Sequence, residues 1–534
     1  MWTQGWRDTT WSQLDREFDL IVIGGGITGA GILREAARAG LKAVLFEQGD
    51  FASGTSSRSS KLVHGGLRYL RNAKIKLTYE SVHEREHLLK EGRGLVIPLP
   101  FLMANFRGDK IPAWVFGFGL SLYDILALKW NHAYYQPDGL RGLCPQLTSP
   151  EMVAGYRYFD AQTDDARLVL RVILEATKDG ALALNYARVE GLLKTSGRVS
   201  GVAVRDLMPG SAPFDYAQGE KTAEVRARAV VNATGAWADS LREQVRGPKR
   251  LRILRGSHIF FPSSKLPLTR AVTFLHPKDS RPVFIFPWEG VTLVGTTDVD
   301  HGAPPSTDLR ISQAEADYLM EAVTHAFPGL GLSLADVQST LAGVRAVVDT
   351  GKADPSKESR EFVLWNEAGL LTVSGGKLTT FRLMAQTALR AVRAILPEHP
   401  RLRWHERVLD PLPPETTVCD LPPELRLRLL GRYGNEACNL DEVAQEGELE
   451  AIGASPSLWA ELRWAARAEG VVHLDDLLAR RLRLAINLPG GGLNEMDRIR
   501  AIVQPELGWD DERWEEEEKK YRELWRGYYS LPSA

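Results

Sequence analysis

The sequence predicts a mixed α/β fold, in which a parallel sheet is interleaved with an antiparallel sheet and followed by a separate α-helical domain. Near the N-terminus, a glycine-rich turn directly follows a buried strand, as in parallel βαβ units. Between residues 252 and 299 the pattern changes to β-type alternation with aromatic side chains. Beyond a proline cluster at 397–414, apolar residues recur at spacings of three and four, which is typical of amphipathic helices.

The first βαβ unit consists of a strand, a helix and a second strand, at residues 18–23, 28–39 and 43–46. Gly24, Gly26 and Gly29 lie between the first strand and the helix. They allow a tight turn, close approach of the backbone to a pyrophosphate, and close packing of the helix on the sheet. The second strand ends at Glu47, whose carboxylate can accept hydrogen bonds from ribose hydroxyls and disfavours a 2′-phosphate. This spacing predicts a bound dinucleotide other than NADP.

A stretch rich in serine and glycine, residues 53–66, directly follows the ribose acid. A nicotinamide site needs no dense run of hydroxyl and amide groups at this point. A flavin held in one place needs such groups along its ribityl chain and pyrophosphate. We therefore expect a flavin dinucleotide.

The rest of the N-terminal region returns twice to the parallel sheet. Strands are predicted at residues 181–184, 201–205 and 229–231, with a polar surface hairpin or insertion at 207–220. A further strand at 370–373 precedes a Gly-Gly-Lys turn that opens a helix. Backbone amides and the positive end of that helix are expected to face the flavin atoms N1 and O2, and Lys377 either adds charge there or reaches the substrate.

Composition restricts the class of protein. A chain of 534 residues with 44% hydrophobic residues can form two to four domains. The net charge of −2 gives no reason to expect nucleic acid as a partner. Cys144, Cys419 and Cys438 are scattered, which favours a reducing compartment and argues against a disulfide framework or a metal cluster.

The N-terminus lacks a basic-then-apolar signal, so we expect a cytoplasmic protein. The longest apolar stretch, residues 111–130, contains Asp124 and two glycines and begins at Pro112, so it falls short of a spanning helix. Two interpretations stay open: a helix that lies at a bilayer or lines a quinone pocket, and a buried core helix. Arginine-rich faces are predicted on the C-terminal helices at 424–430, 458–466 and 474–484. Three alternatives stay open for these faces: they meet anionic lipid, they meet solvent, or they pair with glutamates within the domain.

Eight segments of the chain together resemble the FAD-dependent glycerol-3-phosphate dehydrogenases. They are GGGITGAG at 24–31, the serine-rich run at 55–70, DDARLVL at 164–170, VNATGAW at 231–237, RGSH at 255–258, GTTD at 295–298, GVR at 343–345 and GGKLTT at 375–380. The resemblance runs from about residue 18 to the late 380s and continues more weakly to about 488. It implies a Rossmann-like FAD-binding domain at 18–396 interleaved with an antiparallel-sheet substrate domain, the latter mainly at 80–160 and 250–345. Residues 1–17 would be an N-terminal extension, and 397–534 a C-terminal helical domain.

The resemblance also implies a reaction. The family oxidises sn-glycerol 3-phosphate to dihydroxyacetone phosphate by hydride transfer to flavin N5 and passes the electrons to a membrane quinone. It places substrate-binding arginines at Arg68, Arg345 and, less clearly, Arg360, with Tyr69 as a hydroxyl donor beside them. A phosphate dianion calls for such guanidinium contacts in a partly desolvated pocket.

The expected general base is His258, because a neutral imidazole accepts a proton near neutral pH. Asp298 is the alternative base, or a group that orients a partner or binds the ribityl side. The predicted catalytic residues are therefore His258, Arg345 and Lys377. The predicted cofactor-binding residues are Gly24, Gly26, Ile27, Thr28, Gly29, Glu47, Thr55, Ser56, Ser57, Ser60, Lys61, His64, Gly65, Gly66, Val189, Ala233, Gly235, Asp298, Gly376, Lys377, Leu378 and Thr379.

Several alternatives stay open at the level of sequence. The electron acceptor is a quinone or oxygen, and the substrate could be another hydroxy acid. A flavin-holding structural or RNA-modifying protein is a different class, against which two phosphate-binding arginines argue. With a quinone acceptor, the protein would attach peripherally to the inner face of the cytoplasmic membrane through an anionic lipid surface. The sequence leaves a homodimer open.

Overall fold

The fold is described from a computed structural model of the protein, over residues 2–66, 75–127, 130–208, 221–305, 309–352, 358–359, 361–397, 407–414 and 421–532. Its strands are β1 (Phe18–Ile23), β2 (Ala43–Phe46), β3 (Leu62–Val63), β4 (Val96–Phe106), β5 (Ala133–Tyr135), β6 (Met152–Thr163), β7 (Leu182–Leu184), β8 (Ala187–Thr195), β9 (Arg198–Asp206), β10 (Thr222–Asn232), β11 (Leu251–Pro262), β12 (Ala271–Leu275), β13 (Pro282–Trp288), β14 (Val291–Gly295), β15 (Val299–Asp300), β16 (Ser339–Val348), β17 (Val363–Glu367) and β18 (Leu370–Ser374). Its helices are α1 (Trp6–Trp11), α2 (Ile27–Arg38), α3 (Ile75–Glu91), α4 (Ala113–Ala127), α5 (Pro137–Leu143), α6 (Asp165–Lys178), α7 (Ala238–Glu243), α8 (Gln313–Ala326), α9 (Phe381–Val392), α10 (Pro423–Tyr433), α11 (Ala437–Val443), α12 (Trp459–Ala468), α13 (Leu484–Asn487), α14 (Met496–Leu507) and α15 (Asp511–Tyr528).

The first sheet has a parallel centre. Its strand order is β17-β18-β10-β1-β2-β7, and β9 extends β10 as an antiparallel pair that continues into β8. The neighbours β18, β10, β1, β2 and β7 all run parallel. Helices α2, α6 and α9 pack together beside this sheet in a shared apolar core. Since ligands of open parallel sheets bind beyond the carboxyl ends of the strands, the ends of β1, β2, β10 and β18 mark the place to search for a site.

The second sheet is mostly antiparallel. It has the order β15-β11-β14-β13-β12-β4-β6-β3, with β16 paired to β11 and β5 paired to β6. The pair β12–β4 is parallel. The predicted mixed fold with two interleaved sheets is confirmed, because strands of the second sheet come from both sides of β7–β10 in the sequence. The division at residue 396 stays a prediction, since residues 398–406 lie outside the described ranges.

The C-terminal helices cover one face of the second sheet. Leu462, Leu477 and Trp514 lie in the same apolar cluster as Phe260 and Trp288 of that sheet. The helix predicted at 474–484 is interrupted: a helical segment Asp476–Arg481 ends before Arg483, which has a φ of 65°, and α13 then begins. This departure arises because the Arg483 side chain is held in buried contacts with the N-terminal region. The predicted helical C-terminal domain is otherwise confirmed.

The arginine-rich faces of the C-terminal helices point inward. Arg432, Arg480, Arg481 and Arg483 are 1–7% exposed. They pair with carboxylates at close range, in the pairs Arg432–Asp164, Arg480–Asp50, Arg481–Asp50 and Arg483–Asp165, and Arg428 pairs with Glu461 and Glu289. The expectation that these arginines meet anionic lipid is therefore wrong. Charges buried this deeply are stable only with such partners.

The N-terminal extension is part of the packed fold. Trp2 is 6% exposed, stacks on Phe51 with ring centroids 4.9 Å apart, and donates its backbone N–H to the Ala468 carbonyl. Arg7 is buried and pairs with Asp206 at 2.6 Å. The extension therefore lies between the start of the parallel sheet and the C-terminal helices.

Helix α4, predicted from the apolar stretch, is buried on one face only. Leu120, Tyr123 and Asp124 are 5% exposed or less, whereas Trp114 and Phe118 are each 71% exposed. The Asp124 carboxylate accepts hydrogen bonds from the residues that follow the helix, which explains an acid within an apolar stretch. Neither interpretation of this segment was complete, because the helix is a core element on one side and an exposed apolar surface on the other. Among the described residues, no helix is both long enough and apolar enough to cross a bilayer.

Candidate active site

The glycine turn after β1 is as tight as its sequence predicts. Gly24 has a φ of 110°, and a Cβ atom on it would lie 2.6 Å from the Ala233 carbonyl oxygen at the end of β10. A Cβ atom on Gly29 would lie 1.9 Å from the Gly24 oxygen. Gly26 is different, because a Cβ atom there would meet only the Ser56 side chain, at 3.0 Å. Gly24 and Gly29 are therefore required for packing, whereas beside Gly26 only the Ser56 side chain limits the space at the start of α2.

The serine-rich loop connects the two sheets. Ser56 Oγ accepts a hydrogen bond from the Ile27 N–H at 2.9 Å, at the first turn of α2. Thr55 Oγ1 donates to the Val344 carbonyl of β16 at 2.5 Å. Gly343 of β16 allows this approach, since a Cβ atom there would lie 2.6 Å from Arg58 Cβ. The loop thus lies between the start of the nucleotide helix and one face of the second sheet.

The predicted ribose acid lies at the carboxyl end of β2. Glu47 Oε2 accepts from the Gly25 N–H at 2.6 Å, and Oε1 accepts from the Gly49 N–H at 2.9 Å. Each carboxylate oxygen can accept a further hydrogen bond, so ribose contacts stay available. Ala187 donates its N–H to the Glu47 carbonyl at 2.8 Å, which places Val189 two residues from this contact. At the end of β10, Gly235 has a φ of 58° and open space beside its Cα.

A second glycine turn follows β18. Gly375 and Gly376 have φ values of 76° and 79°, and a Cβ atom on Gly376 would lie 2.3 Å from Met384 Sδ. A short helical turn, Leu378–Thr380, then leads into α9. The side-chain hydroxyls of Ser374 and Thr379 are buried, and neither has a hydrogen-bond partner among the described residues. Orphaned buried hydroxyls are uncommon, so both of these are candidate contacts for a bound group.

His258 lies on β11, at the face that meets the serine-rich loop. Its Nε2 atom is 2.9 Å from Ser60 Oγ, and it is 2% exposed. Its ring lies over Gly295 of β14, where a Cβ atom would approach the ring carbon Cδ2 to 2.1 Å. Burial, together with the positive charges of Lys61 and Arg345, lowers the pKa of His258 to about 3. The imidazole is therefore neutral in the free protein at neutral pH.

A guanidinium lies close to this imidazole. Arg345 Nη2 would be 2.8 Å from a Cβ atom on Gly256. Gly256 lies on β11 two residues before His258, so the two residues are on the same face of that strand, about 7 Å apart. The same Nη2 is 3.1 Å from Asp298 Oδ1. Arg281 contacts the other carboxylate oxygen of Asp298 at 3.5 Å, and both arginine side chains are 25% exposed. Asp298 therefore holds two partly accessible cations at one end of the sheet.

Two of the predicted cofactor-binding residues have side chains that are engaged within the protein. Lys61 Nζ is buried and donates to the Asp165 carboxylate and to the Ser57 carbonyl, at distances from 2.6 to 2.9 Å. Burial, with Arg483 nearby, lowers the pKa of Lys61 to about 8. The amine holds the loop together, and the predicted contact of Lys61 with the cofactor stays a prediction. Asp298 likewise points at Arg345 and Arg281, as a carboxylate that positions cations.

The structure defines local contacts for several other predicted residues, whose roles at the site stay predictions. Lys377 Nζ donates to Ser81 Oγ of α3 at 2.9 Å. Gly65 donates its N–H to Asp160 at 3.0 Å, and a Cβ atom on it would lie 2.2 Å from Tyr123 Oη. His64 precedes this turn, and Gly66 has a φ of 81°. The predicted substrate-binding residues Arg68, Tyr69 and Arg360 lie outside the described residues, so their roles stay predictions.

Sequence reasoning missed three residues at this site. Arg281 precedes β13, Asp165 begins α6, and Arg483 follows the last predicted arginine pair. Asp165 belongs to the DDARLVL segment that resembles the dehydrogenase family, and Arg483 belongs to an arginine-rich helix that was expected to meet lipid, solvent or glutamates. Neither residue was predicted to contact the serine-rich loop. Nothing in the local sequence indicates that Arg281 lies beside GTTD, since the two are joined only through the β13–β14 hairpin.

The site fits a flavin dinucleotide. Open space at Gly26, a ribose acid at the end of β2, and orphaned hydroxyls at the second glycine turn all lie at carboxyl ends of the parallel strands, where such ligands bind. The fold and the site together define a flavin-dependent oxidoreductase. In agreement, residues 19–382 match the FAD dependent oxidoreductase family. Residues 372–514 match the C-terminal domain of alpha-glycerophosphate oxidase.

The chain belongs to the glycerol-3-phosphate dehydrogenase family. It is 33% identical over 524 residues to the aerobic glycerol-3-phosphate dehydrogenase of Staphylococcus haemolyticus, covering 92% of this chain and 91% of that protein. It is 34% identical over 540 residues to glycerol-3-phosphate dehydrogenase 2 of Mycobacterium tuberculosis, covering 95% and 89% of the two chains. A solved structure of the glycerol-3-phosphate dehydrogenase from Bacillus halodurans complexed with FAD is similar over 99% of this chain and 98% of that chain, with a TM-score of 0.78 and 27% identity. The family resemblance and the FAD cofactor predicted from sequence are thus confirmed.

Substitution of Gly26 by valine is expected to give a folded protein without FAD. The side chain would fill the open space at the start of α2 and displace Ser56 from the Ile27 N–H. Because nothing but Ser56 lies within reach, the fold should survive. Flavin absorbance per protein and circular dichroism measure the two effects. Gly191→Val on β8 is the matched control, since no atom lies within 4 Å of its Cβ position. A yellow Gly26→Val protein with normal FAD content would contradict the assignment.

Proposed function

We propose that the protein oxidises sn-glycerol 3-phosphate to dihydroxyacetone phosphate by hydride transfer to FAD and passes the electrons to a membrane quinone. The observation that carries this proposal is that a neutral imidazole, His258, and a guanidinium, Arg345, lie over the same face of β11. Both lie beside the serine-rich loop of the FAD site, which His258 contacts through Ser60. An alcohol to be oxidised needs a base, and its phosphate needs a cation at a fixed distance. The names of the relatives, which are glycerol-3-phosphate dehydrogenases, support the same substrate.

His258 is assigned to accept the hydroxyl proton, and Ser60 to orient its Nε2 atom. Bound FAD supplies the hydride acceptor, its N5 atom. In the free protein the base is weak, because Lys61 and Arg345 lower its pKa together with burial. A phosphate dianion beside Arg345 would offset one of these positive charges, so substrate binding is expected to make the imidazole a better base. The substrate thus helps to activate its own base.

Arg345 and Arg281 are assigned to the phosphate. Both guanidinium groups are partly exposed and are held by Asp298, which fixes their separation. Two guanidinium groups match the phosphate dianion of a substrate better than they match the single carboxylate of a hydroxy acid. The pair therefore favours a phosphorylated alcohol as the substrate. Lys377 and the backbone amides before α9 are assigned to the negative charge that develops on the flavin.

One observation favours a second candidate, a glycerol-3-phosphate oxidase. The C-terminal match is to a domain described for alpha-glycerophosphate oxidase. The substrate chemistry is the same in both candidates, and only the electron acceptor differs. Steady-state oxidation of glycerol 3-phosphate under air and under nitrogen, with and without a soluble quinone analogue, decides between them. We expect turnover under nitrogen with the quinone analogue and little hydrogen peroxide in air. Fast peroxide formation with no quinone reduction would overturn the quinone assignment.

We further propose that the exposed face of α4 contacts the cytoplasmic membrane. Trp114, Phe118 and Ile125 follow one another at spacings of four and seven, which places them within an arc of about 40°. Their exposed fractions are 71%, 71% and 60%, and on the adjacent α3 Ile75 and Tyr79 are 54% and 50% exposed. A continuous apolar surface of this kind marks a membrane or protein contact. A bilayer is favoured because a quinone acceptor resides there.

The double variant Trp114→Ser/Phe118→Ser is expected to bind vesicles at least about tenfold more weakly, because each large side chain contributes about 1.5–3 kcal/mol when buried. Flotation with vesicles that contain anionic lipid measures this change. Salt should release the protein poorly, since the arginines once expected to meet lipid are buried. Ile395→Ser, at a residue that is 43% exposed on another surface, is the control. Equal flotation of the double variant and the wild type would contradict the assignment.

A further inference from the structure

One buried carboxylate organises the serine-rich loop from behind. Asp165, at the start of α6, is 0% exposed. Its Oδ2 atom accepts from the Ser59 N–H at 3.0 Å and from Ser59 Oγ at 2.6 Å. Both carboxylate oxygens accept from Lys61 Nζ, at 2.8 and 2.9 Å. Asp165 therefore fixes the residues on both sides of Ser60, whose hydroxyl contacts His258.

The C-terminal region supplies the counter-charge for this carboxylate. Arg483 donates to Asp165 and, at 2.9 Å, to the neighbouring Asp164. Its Nη1 atom also donates to the Ser57 carbonyl at 3.2 Å, inside the serine-rich loop. Arg483 is 2% exposed and adopts a left-handed backbone conformation with a φ of 65°. A guanidinium from residue 483 thus reaches a loop that lies more than four hundred residues earlier in the chain.

The position of Arg483 does more than join two domains. Elsewhere in the C-terminal domain, the buried Arg463 pairs with Glu448 and Glu506 and holds only elements of that domain. Arg483 instead contacts a main-chain carbonyl of the loop and the carboxylate that holds Ser59. The fork of its guanidinium donates to two carboxylates and to two main-chain carbonyls, those of Ser57 and Ala479, which a lysine ammonium cannot reproduce.

We propose that Arg483 is a positioning residue for the FAD site, which acts through Asp165 to hold residues 57–61 and the Ser60–His258 contact in place. The FAD site is then incomplete without the C-terminal domain. This inference rests on the proposed function in one respect, that bound FAD contacts the serine-rich loop, as predicted for Thr55, Ser56, Ser57 and Ser60. It does not depend on the identity of the substrate or of the electron acceptor.

Release of FAD from the purified holoenzyme tests the inference. The holoenzyme is diluted without substrate, and the recovery of flavin fluorescence gives the dissociation constant of FAD. We expect Arg483→Met to raise this constant by at least about tenfold, and Arg483→Lys to restore part of the loss, because one charge is kept but not the fork. Arg463→Met is the matched control. It removes another buried arginine of the same domain, and it should lower the melting temperature while leaving FAD affinity within about twofold of the wild type.

Ser59→Ala provides a second route that leaves the C-terminal domain intact. It removes the Ser59 Oγ–Asp165 hydrogen bond and is expected to raise the FAD dissociation constant by about threefold to tenfold. If Arg483→Met does not fold, Ser59→Ala alone tests the inference. Wild-type FAD affinity in a folded Arg483→Met protein, or in Ser59→Ala when the arginine variant is not recovered, would overturn the inference. So would an equal loss of affinity in Arg463→Met. Flavin reduction by glycerol 3-phosphate in the wild type tests the proposed function separately, since no substrate is present in the release experiment.

Discussion

Arg345→Ala is expected to lower kcat/KM for glycerol 3-phosphate by about 30-fold to several thousandfold, with FAD still bound. A partly desolvated charge pair that loses one partner typically costs about 2–5 kcal/mol. Arg345 is 25% exposed and is already oriented by Asp298 and by the Thr297 carbonyl, so little order must be created when the phosphate binds. Most of the loss is expected in KM, because the phosphate is held equally before and during hydride transfer.

Two further variants define this prediction. Arg281→Ala should raise KM by about tenfold, since one hydrogen bond to a charged group contributes about 1.5–3 kcal/mol. Arg252→Ala is the control, because Arg252 lies on β11 six residues before His258, about 20 Å along the strand. Its side chain pairs with Asp300 of the neighbouring β15. The kinetic constants are measured together with flavin content. Unchanged kinetics in Arg345→Ala, or equal use of glycerol and glycerol 3-phosphate by the wild type, would show that the phosphate site lies elsewhere.

His258→Ala is expected to slow flavin reduction at saturating substrate by about a hundredfold or more, because general base catalysis typically contributes this much. FAD should stay bound, since the side chain contacts Ser60 Oγ and no part of the glycine turns. Anaerobic stopped-flow measurement of flavin reduction gives the rate directly. A rate equal to that of the wild type would transfer the role of base to solvent or to a residue outside the described ranges.

The pH dependence of the same reaction provides a separate test of His258. Its pKa near 3 in the free protein means that the imidazole stays neutral as the pH falls from 8 to 5. The acid limb of kcat/KM in this range should therefore follow the substrate phosphate, whose second pKa is about 6. The limb should have the same midpoint in His258→Ala. A limb that is present in the wild type and absent from the variant would show that His258 titrates in the free enzyme.

The sequence predicted those parts of the site that depend on local pattern. The turn at Gly24, Gly26 and Gly29, the acid at Glu47 and the second turn at Gly375 each follow a strand, and strand followed by turn is a local signal. The two sheets and the helical domain follow from the same kind of signal. These features are confirmed because backbone geometry is specified over a few neighbouring residues.

Contacts between distant segments could not be predicted in this way. Lys61 lies in the middle of a loop that was predicted to bind the flavin, yet its amine donates to Asp165, which begins a helix about a hundred residues later. The arginines near 480 look like a solvated helix face, yet tertiary pairing with Asp50 and Asp164 buries them. Helical spacing indicates which residues share a face, and it does not indicate whether that face meets water or a carboxylate from another domain.

We propose above all that glycerol 3-phosphate reduces the FAD of this protein at a site that binds a phosphorylated secondary alcohol. Anaerobic titration of the purified holoenzyme with glycerol 3-phosphate, followed by flavin absorbance, tests it most directly. We expect complete bleaching of the oxidised flavin by glycerol 3-phosphate, formation of dihydroxyacetone phosphate in equal amount, and no bleaching by glycerol or by lactate at the same concentration. Flavin that stays oxidised with glycerol 3-phosphate, or that lactate bleaches equally well, would contradict the proposed oxidation of glycerol 3-phosphate at this site.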